Sequence, residues 1–359
     1  MKKVNGRCLA AVVASILALS GCTEKPMVLR LYIWQDDVAP QVVEAFERKY
    51  GCIVKAEFYD SNEAMIERLR TDGPGCCDLI EPSGFMIGQL VQEGLIVPLD
   101  HAKCPSVKQN FQREFAKVVP GDPELEYAVP YNISSSGFIY ATNRIPNGVD
   151  VDTWAIMGNP AFKGRIALLD DMREVISGGL ISLGYSANSE DEKAIEAAVE
   201  QTLKWLPNID HWDSDGSQKA VGDGRIWLAH AYSGWALPFI LGTMDGVRHP
   251  GLAFAHPREG FVISCEELAV TSGCKNPDLA HAFLEFLYAE AKNGRDFMNY
   301  GCTLMPCRPA IESLDPEFRK LVEPTPEDLA RGQVLKGFNG KLEVQALYEK
   351  AWERIVKAR

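Results

Sequence analysis

Residues 28–34 (VLRLYIW) predict a buried β-strand, and 52–59 (CIVKAEFY) and 78–82 (DLIEP) predict two further strands. Between them, an amphipathic stretch from about 40 to 50 and a second one, which opens with the capping-box pattern Asp60-Ser61-Asn62-Glu63, predict helices. The order is therefore β-α-β-α-β, and units of this kind have right-handed crossovers between parallel strands. This part of the chain is expected to fold as an α/β unit with a largely parallel sheet.

The residues that follow these strands are candidate ligand contacts, because ligands bind outside the carboxyl ends of the strands in open α/β sheets. Aromatic side chains and carboxylates dominate the set, which contains no Lys or Arg. Trp34 can belong to the core or to the wall of a cleft, and Ser83 can be a loop serine, a helix cap or a ligand contact. The segments are Trp34-Gln35-Asp36-Asp37, Tyr59-Asp60 and Ser83-Gly84-Phe85.

The same pattern returns in the second half of the chain. Residues 164–169 predict a strand that ends in Asp170-Asp171 and runs into a helix. Residues 227–231 predict another strand, which ends in Tyr232-Ser233-Gly234. A second α/β lobe with its own row of strand ends is the natural interpretation, and two such rows that face each other form a cleft.

Two acidic segments each have two interpretations. In Asp171-Met172-Arg173-Glu174, Asp171 can cap a helix while Glu174 reaches back to it. The i, i+3 spacing can also turn both carboxylates toward the cleft with Arg173 turned aside, and the two interpretations are compatible. Glu266-Glu267 lies in a predicted strand, so one carboxylate can face the cleft and the other solvent, or both can lie on the surface.

The amino terminus predicts export with a lipid anchor. Three basic residues precede the apolar stretch 8–20, which is too short to span a bilayer, and Leu19-Ser20-Gly21-Cys22 resembles the bacterial lipobox. Residues 1–21 are therefore expected to be a signal peptide, followed by a lipid on Cys22 and a tether over 22–26. An ordinary secretory signal and an uncleaved anchor are the alternatives.

Charge and motif content exclude several classes of function. The chain has 37 Lys and Arg against 49 Asp and Glu, and removal of the signal peptide takes its formal charge from −12 to −15. Such a body disfavours nucleic acid as a partner and attracts small cations. It contains no G-x-S-x-G, no H-E-x-x-H, no P-loop and no dinucleotide-binding glycine motif after a strand, so no enzyme is indicated.

Eight cysteines remain in the mature chain besides the acylated one. Outside the cytoplasm an even number favours disulfide bridges or buried thiols. A redox or metal centre around Cys76-Cys77 is the alternative, although the spacing fits no zinc signature. The eight are Cys52, Cys76, Cys77, Cys104, Cys265, Cys274, Cys302 and Cys307.

Several segments match one family pattern in order along nearly the whole mature chain. They are Leu31-Tyr32-Ile33-Trp34, Asp60-Ser61-Asn62-Glu63-Ala64-Met65, Cys77-Asp78-Leu79-Ile80-Glu81-Pro82-Ser83, Val129-Pro130-Tyr131, Leu169-Asp170-Asp171-Met172-Arg173-Glu174-Val175, Leu183-Gly184-Tyr185-Ser186-Ala187-Asn188, and the tail from Leu347-Tyr348-Glu349 to Lys357-Ala358-Arg359. In these segments the chain resembles the spermidine/putrescine-binding receptors of bacterial ABC importers.

The resemblance implies an α/β, two-lobed periplasmic-binding-protein fold (type II-like). Each lobe is then a mainly parallel sheet flanked by helices, and two crossing strands join the lobes. Lobe 1 would comprise 27–132 and 265–311, including all eight cysteines, and lobe 2 would comprise 133–264 and 312–359. A monomeric receptor without metal or cofactor, tethered at the periplasmic face of the cytoplasmic membrane, would deliver its ligand to an ABC permease.

The resemblance also implies how a polyamine is held. Carboxylates take its ammonium groups, and aromatic faces hold its methylenes. The implied ligand-binding residues are Trp34, Asp36, Asp37, Ser83, Phe85, Asp171, Glu174, Tyr232 and Glu266.

The chain departs from the family pattern at several of these positions, which leaves the identity of the polyamine open. Asp37, Phe85, Ser264 and Cys302 stand where the pattern has tyrosine, tyrosine, tryptophan and tyrosine, Glu266 where it has aspartate, and Tyr232 where it has tryptophan. A receptor of the same fold for a thiamine-like cation, a ferric ion or a small anion is one alternative. A cysteine-based redox or metal-binding lipoprotein is the other.

Overall fold

The computed structural model describes residues 26–359 apart from Asp36, Pro120, Met244, Asp245 and Asn339. The signal peptide and Cys22 therefore lie outside the described residues, and so does the predicted ligand contact Asp36. Within the described part of the chain, no helix combines the length and the apolar character that crossing a membrane requires.

Strands and helices alternate along most of the chain. The strands are β1 (Val28–Trp34), β2 (Ile53–Tyr59), β3 (Leu79–Ile80), β4 (Ala128–Ala141), β5 (Ile166–Leu168), β6 (Ile209–Trp212), β7 (Leu228–Tyr232), β8 (Leu252–Ala255), β9 (Phe261–Val270) and β10 (Gly332–Val334). The helices are α1 (Pro40–Tyr50), α2 (Asn62–Thr71), α3 (Ile87–Gln92), α4 (Pro105–Asn110), α5 (Met172–Ser182), α6 (Glu192–Trp205), α7 (Ser217–Gly222), α8 (Ser233–Leu241), α9 (Pro277–Ala289), α10 (Ala291–Gly301), α11 (Arg308–Glu312), α12 (Pro316–Val322), α13 (Pro326–Arg331) and α14 (Leu342–Lys357).

One continuous sheet runs through the described residues in the order β2-β1-β3-β9-β4-β7-β5-β6, with β10 on β9 and β8 on β4. At one end β1 pairs in parallel with β2 and β3, and at the other β5 pairs in parallel with β6 and β7. The long strands β4 and β9 lie antiparallel in the middle and join the two parallel parts. The predicted α/β fold with two crossing strands is present.

The two largest of the four hydrophobic cores in the described residues both receive side chains from the crossing strands. In the first core Phe46 packs edge-on against Phe283 with ring centroids 5.0 Å apart, and in the second Trp154 stacks on Trp205 at 5.7 Å. Strand β4 contributes Ile133 to the first core, and farther along its length it contributes to the second. A strand shared in this way couples the position of one core to that of the other.

Two helix starts carry candidate site residues, and the structure corrects one of them. Ser61, not Asp60, caps α2: its hydroxyl accepts a hydrogen bond from the Ala64 N–H at 3.1 Å. The prediction was wrong by one residue because the helix begins at Asn62, so the residue that precedes it and has the extended backbone of a cap is Ser61. Asp171 caps α5 as predicted.

Two glycines in α5 allow the helix to pack closely against its neighbours. A Cβ on Gly178 would lie 2.6 Å from the Trp154 ring, and one on Gly179 would lie 2.8 Å from the Ala198 carbonyl oxygen. The two glycines therefore let α5 lie directly on the second core. This contact sets the position of the acidic first turn of α5 relative to the sheet.

Candidate functional site

The ends of β1 and β3 meet the middle of β9. Ser83 pairs with Glu266 in an isolated antiparallel bridge, and the Trp34 Nε1–H donates to Glu266 Oε2 at 3.3 Å. The Asn62 amide donates to Ser83 Oγ at 3.0 Å and accepts from the Ser83 N–H at 3.1 Å. Three predicted site residues are thus in contact. Asn62, which the sequence marked only as part of a helix start, fixes Ser83.

Asp37 is held against the crossing strand β4. The Asn132 Nδ2 donates to both Asp37 carboxylate oxygens at 3.0 Å, and the Tyr131 hydroxyl donates to the Asp37 carbonyl oxygen at 2.8 Å. Asn132 is buried. The predicted residue Asp37 is therefore half-buried and fixed against the central strand β4, and Asn132 is a contributor that the sequence did not reveal.

Glu81 is a further carboxyl group at this place, and sequence reasoning assigned it no role. Its side chain is fully buried and interacts with the carboxyl group of Asp37, and apart from Asp37 neither carboxyl oxygen receives a hydrogen bond from a described side chain. Burial raises its pKa well above the usual range, and the negative charges of Asp37 and Glu266 raise it further. We call Asp37, Glu81 and Glu266 the first carboxylate cluster. Glu81 is a charged residue within the short apolar stretch 78–82, and this was the sequence signal from which its role could have been predicted.

Glu266 and Glu267 point to opposite faces of β9, as expected for consecutive strand residues. Burial raises the pKa of Glu266 to about 8, with the charge of Asp37 adding to the effect while Ser83 and Trp34 oppose it. Glu267 is fully buried, and burial also raises its pKa. The expectation of a solvent-facing carboxylate was wrong because β9 lies in the middle of the sheet, where both faces are covered.

Asp171 and Glu174 form the second carboxylate pair, on the first turn of α5. Asp171 Oδ1 accepts from the Glu174 N–H at 2.9 Å, whereas Glu174 Oε2 has no hydrogen-bond partner among the described residues. The predicted capping bond of Asp171 is confirmed, and the predicted return bond from the Glu174 side chain is absent. Burial, followed by the charge of Asp171, raises the pKa of Glu174 to about 8. Burial also raises the pKa of Asp171.

Tyr232 lies close to carboxyl groups of both acidic groups. It lies at the end of β7, and its side chain interacts with the carboxyl group of Asp171. Burial raises the pKa of Tyr232 well above its usual range, and the charges of Asp171, Glu174 and Glu266 raise it further. Tyr232 therefore lies close to both members of the second carboxylate pair and to Glu266 of the first carboxylate cluster.

The nearest basic side chains do not neutralise these carboxyl groups. Arg173 donates to the Lys336 carbonyl oxygen at 3.1 Å, and its guanidinium lies 4.7 Å from the centre of the Phe338 ring, so it is turned aside as predicted. His230 Nε2 lies 3.8 Å from Glu174 Oε2, but burial lowers the pKa of His230 to about 3 and keeps it neutral. Within the described residues, no Lys or Arg forms an ion pair with Glu81, Glu266, Asp171 or Glu174.

Aromatic rings line the same region. The Trp34 and Tyr59 ring centroids are 4.5 Å apart, and Tyr59 donates to the Glu81 carbonyl oxygen. Phe85 is half-buried and packs against both the second core and the buried residues around Tyr59. Ser264, at a position where an aromatic was implied, instead hydrogen-bonds the Ser134 hydroxyl across the two crossing strands at 2.9 Å.

The eight described cysteines are all free thiols, six of them buried. Cys76 and Cys77 have sulfur atoms 3.8 Å apart, and Cys302 lies in the first core, 3.3 Å from the Thr243 hydroxyl. Burial raises the pKa of Cys302 to about 11. Burial also raises the pKa of Cys104, Cys265 and Cys307, so these buried thiols are protonated at neutral pH and poorly suited to nucleophilic or metal-binding chemistry.

Comparison with known proteins identifies relatives over nearly the full length. The model of a family described as bacterial extracellular solute-binding protein matches residues 41–324. The chain is 28% identical to the spermidine/putrescine-binding periplasmic protein of Salmonella typhimurium in an alignment of 365 positions that covers 100% of both chains.

Solved structures agree with this result. A putative spermidine/putrescine ABC transporter protein from Listeria monocytogenes superposes with a TM-score of 0.82 at 27% identity, covering 92% of this chain and 99% of that one. A lipoprotein of Treponema pallidum gives a TM-score of 0.78 at 27% identity, covering 91% and 99%. The two-lobed binding-protein fold expected from the sequence is confirmed.

The raised pKa values of Glu174 and Glu266 predict how stability depends on pH. The folded protein holds these two protons more tightly than the unfolded chain, whose glutamates titrate near about 4.3. The free energy of unfolding of the ligand-free protein should therefore fall as the pH rises from about 5 to about 8. Urea unfolding at both pH values measures this fall, and Glu174→Gln with Glu266→Gln should make it smaller.

The exposed carboxylate Glu44 supplies the control. Glu44→Gln should leave the pH dependence of unfolding unchanged. An equal fall in wild type and in the double variant would contradict the assignment of these protons to Glu174 and Glu266.

Proposed function

The chain belongs to the family of bacterial extracellular solute-binding proteins, and we propose that it captures a polyamine of the putrescine/spermidine class for an ABC importer. The observation that carries this proposal is the set of buried carboxyl groups at the site. Glu266 of the first carboxylate cluster and both members of the second carboxylate pair lie close to Tyr232, and four of the five carboxyl groups have no Lys or Arg partner among the described residues.

A linear cation with charges at both ends fits this arrangement. Buried carboxyl groups without a counter-ion keep their protons, as the raised pKa values of Glu174 and Glu266 indicate. An ammonium group can replace each proton as the favourable partner, and the Trp34, Phe85 and Tyr232 rings can contact the methylenes between the charges. The proposed ligand-binding residues are Trp34, Asp36, Asp37, Ser83, Phe85, Asp171, Glu174, Tyr232 and Glu266.

The proposed mechanism is closure of two lobes over the ligand. Residues 27–132 with 265–311 would form one lobe, and 133–264 with 312–359 the other. Strands β4 and β9 each contribute to both hydrophobic cores, which supports a connection through these strands. Release to the permease of the importer would follow when the lobes separate.

Other small ligands receive less support from the site. An anion receptor needs basic side chains or free N–H groups at the ligand, and carboxyl groups occupy that place here. A redox function centred on Cys76-Cys77 has its thiols before β3, whereas Asp37 and Glu81 lie beyond the ends of β1 and β3.

We propose further that a lipid on Cys22 holds the protein at the periplasmic face of the membrane, near its permease. Tethering raises the local concentration of a receptor at its partner. Cells grown with labelled palmitate should incorporate the label into wild-type protein and not into Cys22→Ser. Equal labelling of the two proteins would exclude this anchor.

A ligand screen tests the main proposal. Putrescine, cadaverine, spermidine and spermine should be compared by thermal unfolding of protein freed of carried-over ligand. A ligand present at a hundred times its dissociation constant should raise the free energy of unfolding by about 2.7 kcal/mol. No shift with any of the four would refute polyamine binding.

The second carboxylate pair can be tested by substitution. Asp171→Asn with Glu174→Gln should weaken polyamine binding by roughly 2–5 kcal/mol, because buried charges then lose their partners. Asparagine still caps helices, so the fold should persist. Calorimetry measures the affinity, and thermal unfolding checks the fold.

The neighbouring Asp170 gives a matched control for this pair. It is exposed and pairs with Arg359 away from the site. Asp170→Asn should leave the affinity unchanged. If the double variant also binds normally, Asp171 and Glu174 serve only the structure of α5.

A further inference from the structure

The first carboxylate cluster and the second carboxylate pair contain different numbers of carboxyl groups. This difference bears on which ligand the site prefers. The first carboxylate cluster collects three carboxyl groups from three separate elements, whereas the second carboxylate pair supplies two from one helical turn. A symmetric diamine presents the same group at both ends. An asymmetric site therefore favours a ligand whose two ends differ.

Glu81 produces most of this asymmetry. Its carboxyl group is fully buried and interacts with the carboxyl group of Asp37, and apart from Asp37 its two oxygens receive no hydrogen bond from a described side chain. Two carboxyl groups in contact repel each other unless a proton or a cation lies between them. Unsatisfied buried acceptors of this kind are uncommon in folded proteins, since each lost hydrogen bond costs free energy.

The protein supplies few donors for the cluster. The Asn132 amide donates hydrogen bonds to the Asp37 carboxylate, and the Trp34 indole N–H donates one to a carboxylate oxygen of Glu266. A ligand ammonium would add three N–H donors around a point charge, whereas a guanidinium adds five in one plane. The larger and flatter group can contact several carboxyl groups at once.

We propose that the first carboxylate cluster binds a guanidinium, so that the preferred ligand is an alkylguanidine with an ammonium group at its other end. The ring of Trp34, packed on Tyr59 at 4.5 Å, offers a flat surface on which a guanidinium stacks. The second carboxylate pair then takes the ammonium end. This inference rests on the proposed function and specifies its ligand.

The same lobe already contains a guanidinium held in this way. The Arg30 side chain donates to the fully buried Asp78 carboxylate from Nε at 3.0 Å and from Nη2 at 2.7 Å. Its Nη1 donates to the Gly75 carbonyl oxygen at 2.7 Å. A forked set of donors is thus compatible with a buried carboxylate beside β1 and β3.

Two ligands that differ in one group give the sharpest test. Putrescine and 4-aminobutylguanidine have the same four-carbon chain, and only the second carries a guanidinium. Calorimetry on the mature protein should show the guanidine binding about tenfold more tightly, the usual gain from bidentate charge-assisted bonds. Equal binding, or tighter binding of putrescine, overturns this inference and leaves the proposed function intact. If neither ligand binds, this inference is overturned, and the screen with the four polyamines decides the proposed function separately.

Variants locate the effect within the cluster. Glu81→Gln should weaken the guanidine by roughly tenfold and change putrescine much less, because putrescine lacks the additional donors. Glu267→Gln is the matched control: it removes a neighbouring buried carboxyl on the opposite face of β9 and should change neither affinity. Equal losses for both ligands in Glu81→Gln would contradict a guanidinium-specific role. The wild-type comparison decides the question even if Glu81→Gln fails to fold.

Discussion

The arrangement of this protein depends on carboxyl groups that are buried without cations of the protein's own. A buried ionised carboxylate needs a counter-charge, and Glu81, Glu266, Asp171 and Glu174 have no Lys or Arg partner among the described residues. In the absence of ligand, Glu81, Glu174 and Glu266 retain protons and are uncharged. A small cation can therefore stabilise this region of the fold, because it supplies the positive charge that the neighbouring side chains lack.

The crossing strands make this possible. Strand β9 carries Glu266 and β4 carries Asn132, and both strands run through the middle of the sheet between the two cores. An acidic residue on an edge strand would be solvated and would keep an ordinary charge. In the centre of the sheet it is shielded on both faces, as Glu267 shows on the face away from the site. The same strands therefore provide both the connection between the cores and the low-dielectric surroundings of the site.

The acidic groups also indicate how ligand and proton compete. When a cation approaches Glu174 or Glu266, the carboxyl form has to give up its proton, so cation binding and proton release are linked. His230 lies behind Glu174 but stays neutral, and Arg173 is turned toward Phe338, so neither replaces the ligand charge. The aromatic rings add selectivity by shape, since they favour an apolar chain between the charged ends.

The sequence by itself determined the local elements: the periodicity of its apolar residues predicted β1, α1 and β2 closely, and Asp171 as the cap of α5. These features depend on a few consecutive residues, because helices and strands repeat over short distances. Only the tertiary structure decided the contact between Trp34 and Glu266, 232 residues apart, and that between Asp37 and Asn132, 95 residues apart. It also decided that Glu81 and Glu267 are buried. Burial depends on which strands become central in the sheet, and that order follows from the packing of the whole chain.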